Sequence, residues 1–88
     1  MSSPYDKLKK QLELLEWPNV YMFKFIVPNT PELIAKTTAL FDPGADIQFH
    51  ESKTGKFVSV SVKELMLNVD SIIEKYEKAT TIKGLMAL

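Results

Sequence analysis

His50 is the only histidine in the chain. A general base needs a partner and an orienting group within hydrogen-bond reach. Its neighbour Glu51 falls on the opposite face of the same extended segment, so no such pair is preset. Ser59 and Ser61 share one parity of a later segment. A serine nucleophile needs an activating base beside it, and neither serine lies in a Gly-x-Ser-x-Gly elbow. Ser52-Lys53-Thr54-Gly55-Lys56 has the letters of a phosphate loop without its spacing, and it joins two extended runs rather than a strand and a helix. Asp42, Asp46 and Glu51 are too scattered for an EF-hand loop. These positions read as solvated strand and turn residues. The expectation is a protein that is not an enzyme, with no catalytic residue, no cofactor and no metal.

Composition narrows the partners. The 88 residues suffice for one domain, 1–88, in which 1–18 form an N-terminal extension with a short helix. Eleven acidic residues balance eleven basic ones, and every basic residue is lysine. Zero net charge gives no field to steer the chain towards nucleic acid or an anionic membrane. The bidentate arginine fork that usually recognises phosphate is missing. There is no cysteine, so disulfides and thiolate chemistry are excluded. Met1-Ser2-Ser3-Pro4-Tyr5-Asp6 has no apolar signal core, and no apolar run approaches the ~20 residues of a membrane span. These features suit a cytoplasmic protein that binds neither nucleic acid nor membrane.

The elements that must position these residues follow from periodicity. Leu8, Leu12 and Leu15 share one face of a helix over 5–16, which Trp17-Pro18-Asn19 ends. Val20–Val27 alternates: Tyr21, Phe23, Phe25 and Val27 take the core side, Lys24 the outer side. Thr30 caps a helix with Pro31 at its first position and a stripe of Leu33, Ile34, Thr37, Leu40 and Phe41. Asp42-Pro43-Gly44 stops it. Ala45–Lys53 and Lys56–Glu64 form a hairpin around Thr54-Gly55. Ile47 and Phe49 point one way in its first arm, and Gln48 and His50 the other. Val58, Val60 and Val62 take the covered side of its second arm. Asn68 caps a helix whose stripe is Val69, Ile72, Ile73 and Tyr76. Thr81–Leu88 closes as a last strand with Gly84, Met86 and Leu88 inward. A helix followed by β-α-β-β-α-β predicts an α+β, ferredoxin-like βαββαβ sandwich. Its antiparallel four-stranded sheet would carry two helices on one face, plus the short N-terminal helix.

The uncovered sheet face then holds Val20, Met22, Lys24, Ile26, Phe57, Ser59 and Ser61, with Leu85 and Ala87 beside them. A contiguous apolar patch there would mark an interface. Residues 5–16 either fold back over this face or leave it to a partner. RNA-recognition domains share the element order and stack bases on aromatics of the central strands. Here Gly55-Lys56-Phe57-Val58-Ser59-Val60 keeps one aromatic of their signature, and serines stand where platforms would be.

Several motifs in order resemble the YbeD-like family of small uncharacterised bacterial proteins. They are Leu14-Leu15-Glu16-Trp17-Pro18, Tyr21-Met22-Phe23-Lys24, Pro31-Glu32-Leu33, Ser52-Lys53-Thr54-Gly55-Lys56-Phe57, Ser59-Val60-Ser61-Val62 and Met86-Ala87-Leu88. The resemblance covers about Leu8 to Leu88. It implies a ferredoxin-like fold similar to amino-acid-binding ACT regulatory domains, and no established activity. Thr30-Pro31-Glu32-Leu33-Ile34-Ala35-Lys36 is similar to the start of the first helix of ACT domains. The reading is a non-enzymatic regulatory or protein-interaction module acting through the sheet face or an edge, as a homodimer or with another protein. The alternative is an ACT-like sensor of a small molecule, an amino acid, held at a subunit interface by the loop Pro28, Asn29 and Thr30. RNA binding and catalysis rank below both.

Overall fold

The computed structural model describes residues 4–88; Met1, Ser2 and Ser3 of the N-terminal extension lie outside the described residues. In chain order the elements are α1 (Asp6–Glu13), β1 (Asn19–Pro28), α2 (Pro31–Thr38), β2 (Asp46–Glu51), β3 (Phe57–Met66), α3 (Val69–Ala79) and β4 (Met86–Ala87). The strands form one antiparallel sheet in the order β2-β3-β1-β4. β3 thus separates β1 from β2, and β1 separates β3 from β4.

Alternation in β1 and β3 builds the core. Phe23, Phe25 and Val27 are fully buried beside Val58, Val60, Val62 and Met66. Phe25 lies opposite Val60, and Phe23 opposite Val62. Burying each such side chain stabilises the fold by about 1.5–3 kcal/mol relative to exposure. Ile72 and Tyr76 of α3 and Phe41 after α2 cover this layer. Phe23 anchors an aromatic group with ring centroids 4.8 Å from Tyr21, 5.2 Å from Phe41 and 5.4 Å from Tyr76.

Both predicted caps form. The Thr30 Oγ1 accepts from the Leu33 amide at 3.3 Å, and the Asn68 Oδ1 from the Ser71 amide at 2.8 Å. Each satisfies a donor the helix leaves unpaired. Glu32 and Lys36 pair at 3.1 Å along α2. Gly55 turns the hairpin at φ 74°, and Ser52 and Phe57 are joined across it by a backbone bond of 2.9 Å.

Two expectations need correction. α1 ends at Glu13, before Leu15. Trp17, whose peptide bond to Pro18 is cis, donates its indole N–H to the Leu12 carbonyl at 3.0 Å. Leu12 is buried, whereas Leu15 is exposed. The last strand is two residues long rather than Thr81–Leu88, because Thr81–Leu85 turns around Gly84 at φ 79°. Gly84, Met86 and Leu88 are accordingly not inward: Met86 lies opposite Ile26 on the outer face, while Leu85 and Ala87, expected there, lie on the other side, Leu85 packed against the core and Ala87 opposite Phe25. Phe49 shares the parity of Ile47 but is 54% exposed. α2 lies over β1 and α3 over β3, so the edge strand β2 extends beyond their cover.

Candidate functional site

α1 lies on the helical side of the sheet. Tyr5 stacks on Tyr76 with centroids 6.2 Å apart, Leu12 joins the core, and Lys9 approaches Asp70 at 3.7 Å. Among the described residues nothing overlies the outer sheet face. Of the seven residues expected there, Val20, Met22, Lys24 and Phe57 are exposed, and Ile26, Ser59 and Ser61 are half-exposed. The register brings them together in rows: Ile26 opposite Ser59, Lys24 opposite Ser61, Pro28 opposite Phe57.

Side-chain size shapes this face. Ser59 and Ser61 on central β3 are flanked by His50 and Gln48 on β2 and by Ile26 and Lys24 on β1. Short residues between longer ones leave a trough along β3. Its upper part, ≈ 330 Å³, is lined by Ile26, His50, Ser52, Phe57, Ser59 and Met86. Its lower part, ≈ 160 Å³, is lined by Met22, Asp46, Gln48, Ser61 and Lys63. Phe57, Ile26 and Met86 therefore make one apolar patch, and Met22, Val20 and Leu65 another. Gln48, Ser61 and Lys24 form a polar belt between them.

Sequence reasoning missed Leu65 and Met86 on this face. Leu65 was legible, since it continues the parity of Ser59, Ser61 and Lys63. Met86 was not, because its side depends on pairing with Ile26.

His50 and Ser59 are direct cross-strand neighbours on the outer face, but no side-chain hydrogen bond joins them. Glu51, on the other parity, accepts from the Asn29 side chain at 3.2 Å and cannot orient His50. The pair lacks both the bond and the orienting group that activate a serine. No group of three or more metal-ligating side chains occurs among the described residues. No helix among them is long and apolar enough to cross a membrane.

The Pro28-Asn29-Thr30 loop is internally bonded. The Asn29 amide donates to the Lys56 carbonyl at 2.9 Å and the Thr30 amide to the Pro28 carbonyl at 2.8 Å. The Asn29 side chain also donates to the Gly55 carbonyl at 2.9 Å. Beside the loop a groove of ≈ 380 Å³ runs between α2 and β2, lined by Asn29, Ile34, Phe49, Glu51 and Val58.

A third polar group lies at the far end of β3. Burial pushes the Glu64 carboxyl above its ordinary range, opposed by the charge of Lys75. The Lys75 Nζ is 3.9 Å from the Glu64 Oε2, donates to the Leu40 carbonyl, and sits 5.1 Å above the Phe41 ring. The Glu64 Oε1 accepts weakly from the Asp42 amide at 3.4 Å, and its Oε2 has no hydrogen-bond partner.

No family model, curated protein or solved structure matches the chain.

Proposed function

We propose that this chain is a non-catalytic protein-interaction module and that the outer sheet face is its binding surface. The observation that carries this reading is the placement of α1 against α3, which leaves Val20, Met22, Phe57, Leu65 and Met86 exposed on one face. A grouped apolar surface of this kind is a usual feature of interfaces. Lys24 and Lys63 between and beside the apolar patches favour a partner segment that sets a carboxylate between apolar side chains. The interleaved strand order supports a ferredoxin-like arrangement, the fold that the YbeD-like resemblance implies. A cytoplasmic setting accords with the cysteine-free sequence. The interaction reading is preferred to an amino-acid sensor because the Asn29 and Thr30 amides are already bonded within the chain.

A photo-crosslinking residue in place of Met22, introduced in the native cell, tests the proposal. A discrete crosslinked protein that disappears on adding Lys24→Glu is the expected result. No crosslinked band, or the same bands from a crosslinker at exposed Glu74 on α3, would overturn it.

A further inference from the structure

The two edges of the sheet differ. β4 pairs with β1 over two residues, whereas β2 presents six residues, Asp46–Glu51, with β3 on one side only. Long edge strands are normally blunted with charged side chains, lysine above all, with proline or with a bulge. Asp46-Ile47-Gln48-Phe49-His50-Glu51 carries carboxylates only at its two ends, Asp46 and Glu51, contains no lysine and no proline, and its register with β3 runs without a bulge.

The backbone of β2 divides cleanly. Ser52 and Phe57 continue the β2–β3 register, and the Ser52 amide donates to the Phe57 carbonyl. In an antiparallel ladder every second residue directs both backbone groups at its partner. Gln48 and His50 therefore face β3, and Ile47 and Phe49 direct their N–H and C=O groups away from the sheet.

An edge can meet a second copy of itself only in an antiparallel register symmetric about one residue or one pair. Centring on Gln48 sets Asp46 opposite the partner's His50, Gln48 opposite the partner's Gln48, and Ile47 opposite the partner's Phe49. Asp46 and His50 lie on the outer face, and Ile47 and Phe49 on the helical face, so every opposed pair shares a side. Carboxylate meets imidazole, amide meets amide, and aliphatic meets aromatic. Ile47 and Phe49 are also the residues with free backbone groups, so each of their two pairings closes a narrow hydrogen-bonded pair. Centring instead on Phe49 would set Ile47 against the partner's Glu51, an apolar side chain against a carboxylate. The Gln48-centred register also covers Phe49, which the helices leave 54% exposed. A net charge of zero offers no general repulsion between copies.

We infer that the occupant of the β2 edge is a second copy of this chain, paired antiparallel about Gln48 to continue the sheet across both protomers. This interface is separate from the outer face and leaves that face open on each protomer.

Light scattering behind size exclusion over a wide concentration range, with residue-resolved amide exchange on the full chain, tests the inference. The wild-type chain dimerises as concentration rises. The Ile47 and Phe49 amides gain protection in step, while the Gln48 and His50 amides, already bonded to β3, do not change. Phe49→Lys raises the dimer dissociation constant about tenfold or more, since it removes two cross-strand pairs and sets two charges at the edge. Asp46→Lys and His50→Asp each weaken the dimer, and the double variant regains it by setting a lysine opposite the partner's new carboxylate. Met22→Ser leaves the dimer unchanged, which separates this interface from the proposed face. A chain that stays monomeric at millimolar concentration, or Ile47 and Phe49 amides that exchange equally fast throughout, would overturn the inference. So would a dimer lost on Met22→Ser and kept on Phe49→Lys.

Discussion

The phenol of Tyr21 on β1 meets the phenol of Tyr76 on α3 at 2.9 Å, tying the sheet to the helix that covers it. Burial and this hydrogen bond push the Tyr76 hydroxyl far above the ordinary tyrosine range, so it stays protonated at any physiological pH. Tyr21→Phe should leave a buried hydroxyl without a partner and cost about 1–3 kcal/mol. Adding Tyr76→Phe removes the orphan, so the double variant should lose less than the two single losses together. A double-mutant cycle by urea denaturation reads this coupling.

Phe23 is fully buried at the centre of the aromatic group. Phe23→Ala should cost about 3–5 kcal/mol through lost burial and the cavity left behind. A chain of this size has a total stability of about 4–13 kcal/mol. The variant should therefore show a large fall in its denaturation midpoint, or be unfolded at 25 °C by circular dichroism.

Gly84 adopts φ 79°, and a Cβ there would lie 2.7 Å from the Pro28 Cγ. Gly84→Ala combines left-handed strain with a contact against a ring that has little freedom to move. The expected cost is about 1–3 kcal/mol by chemical denaturation. It should be accompanied by faster amide exchange at Leu88, whose N–H donates to the Lys24 carbonyl.

Glu64 makes stability depend on pH in an uncommon direction. Its carboxyl is raised above the ordinary value of 4.5 by burial, with Lys75 opposing and Asp42 alongside. The folded state then holds this proton more tightly than the unfolded chain. The resulting penalty is absent below pH 4.5 and grows as pH rises through the folded value. Glu64→Gln should remove that dependence. Its denaturation midpoint relative to wild type should be higher at neutral pH than below pH 4.5, and a constant difference would contradict the assignment.

Much of the fold was readable because its signals are local. Alternation over Tyr21, Phe23, Phe25 and Val27 needs only the period of a strand to separate a core side from an outer side. Thr30 and Asn68 announce helix starts by chemistry that acts within three residues. The outer-face set was legible for the same reason, since Met22 and Lys24 are merely the other parity. The length of the last strand was less readable. Gly84 fits an alternating pattern on paper, but its left-handed backbone makes a turn, and Met86 took its side from Ile26.

By itself the sequence determined the order of the elements, the caps at Thr30 and Asn68, the buried side of β1 and β3, and the absence of cysteine and arginine chemistry. Only the tertiary structure decided which faces stay bare. α1 packs beside α3 rather than over the sheet, because Leu12 and Tyr5 find the apolar side of Tyr76 and its neighbours. Phe49 is exposed because β2 lies beyond the cover of α2 and α3, although its parity matches that of buried residues. Parity is a property of the backbone within one strand. Cover depends on the lateral place of that strand in the sheet, which is set by contacts between residues far apart in the chain.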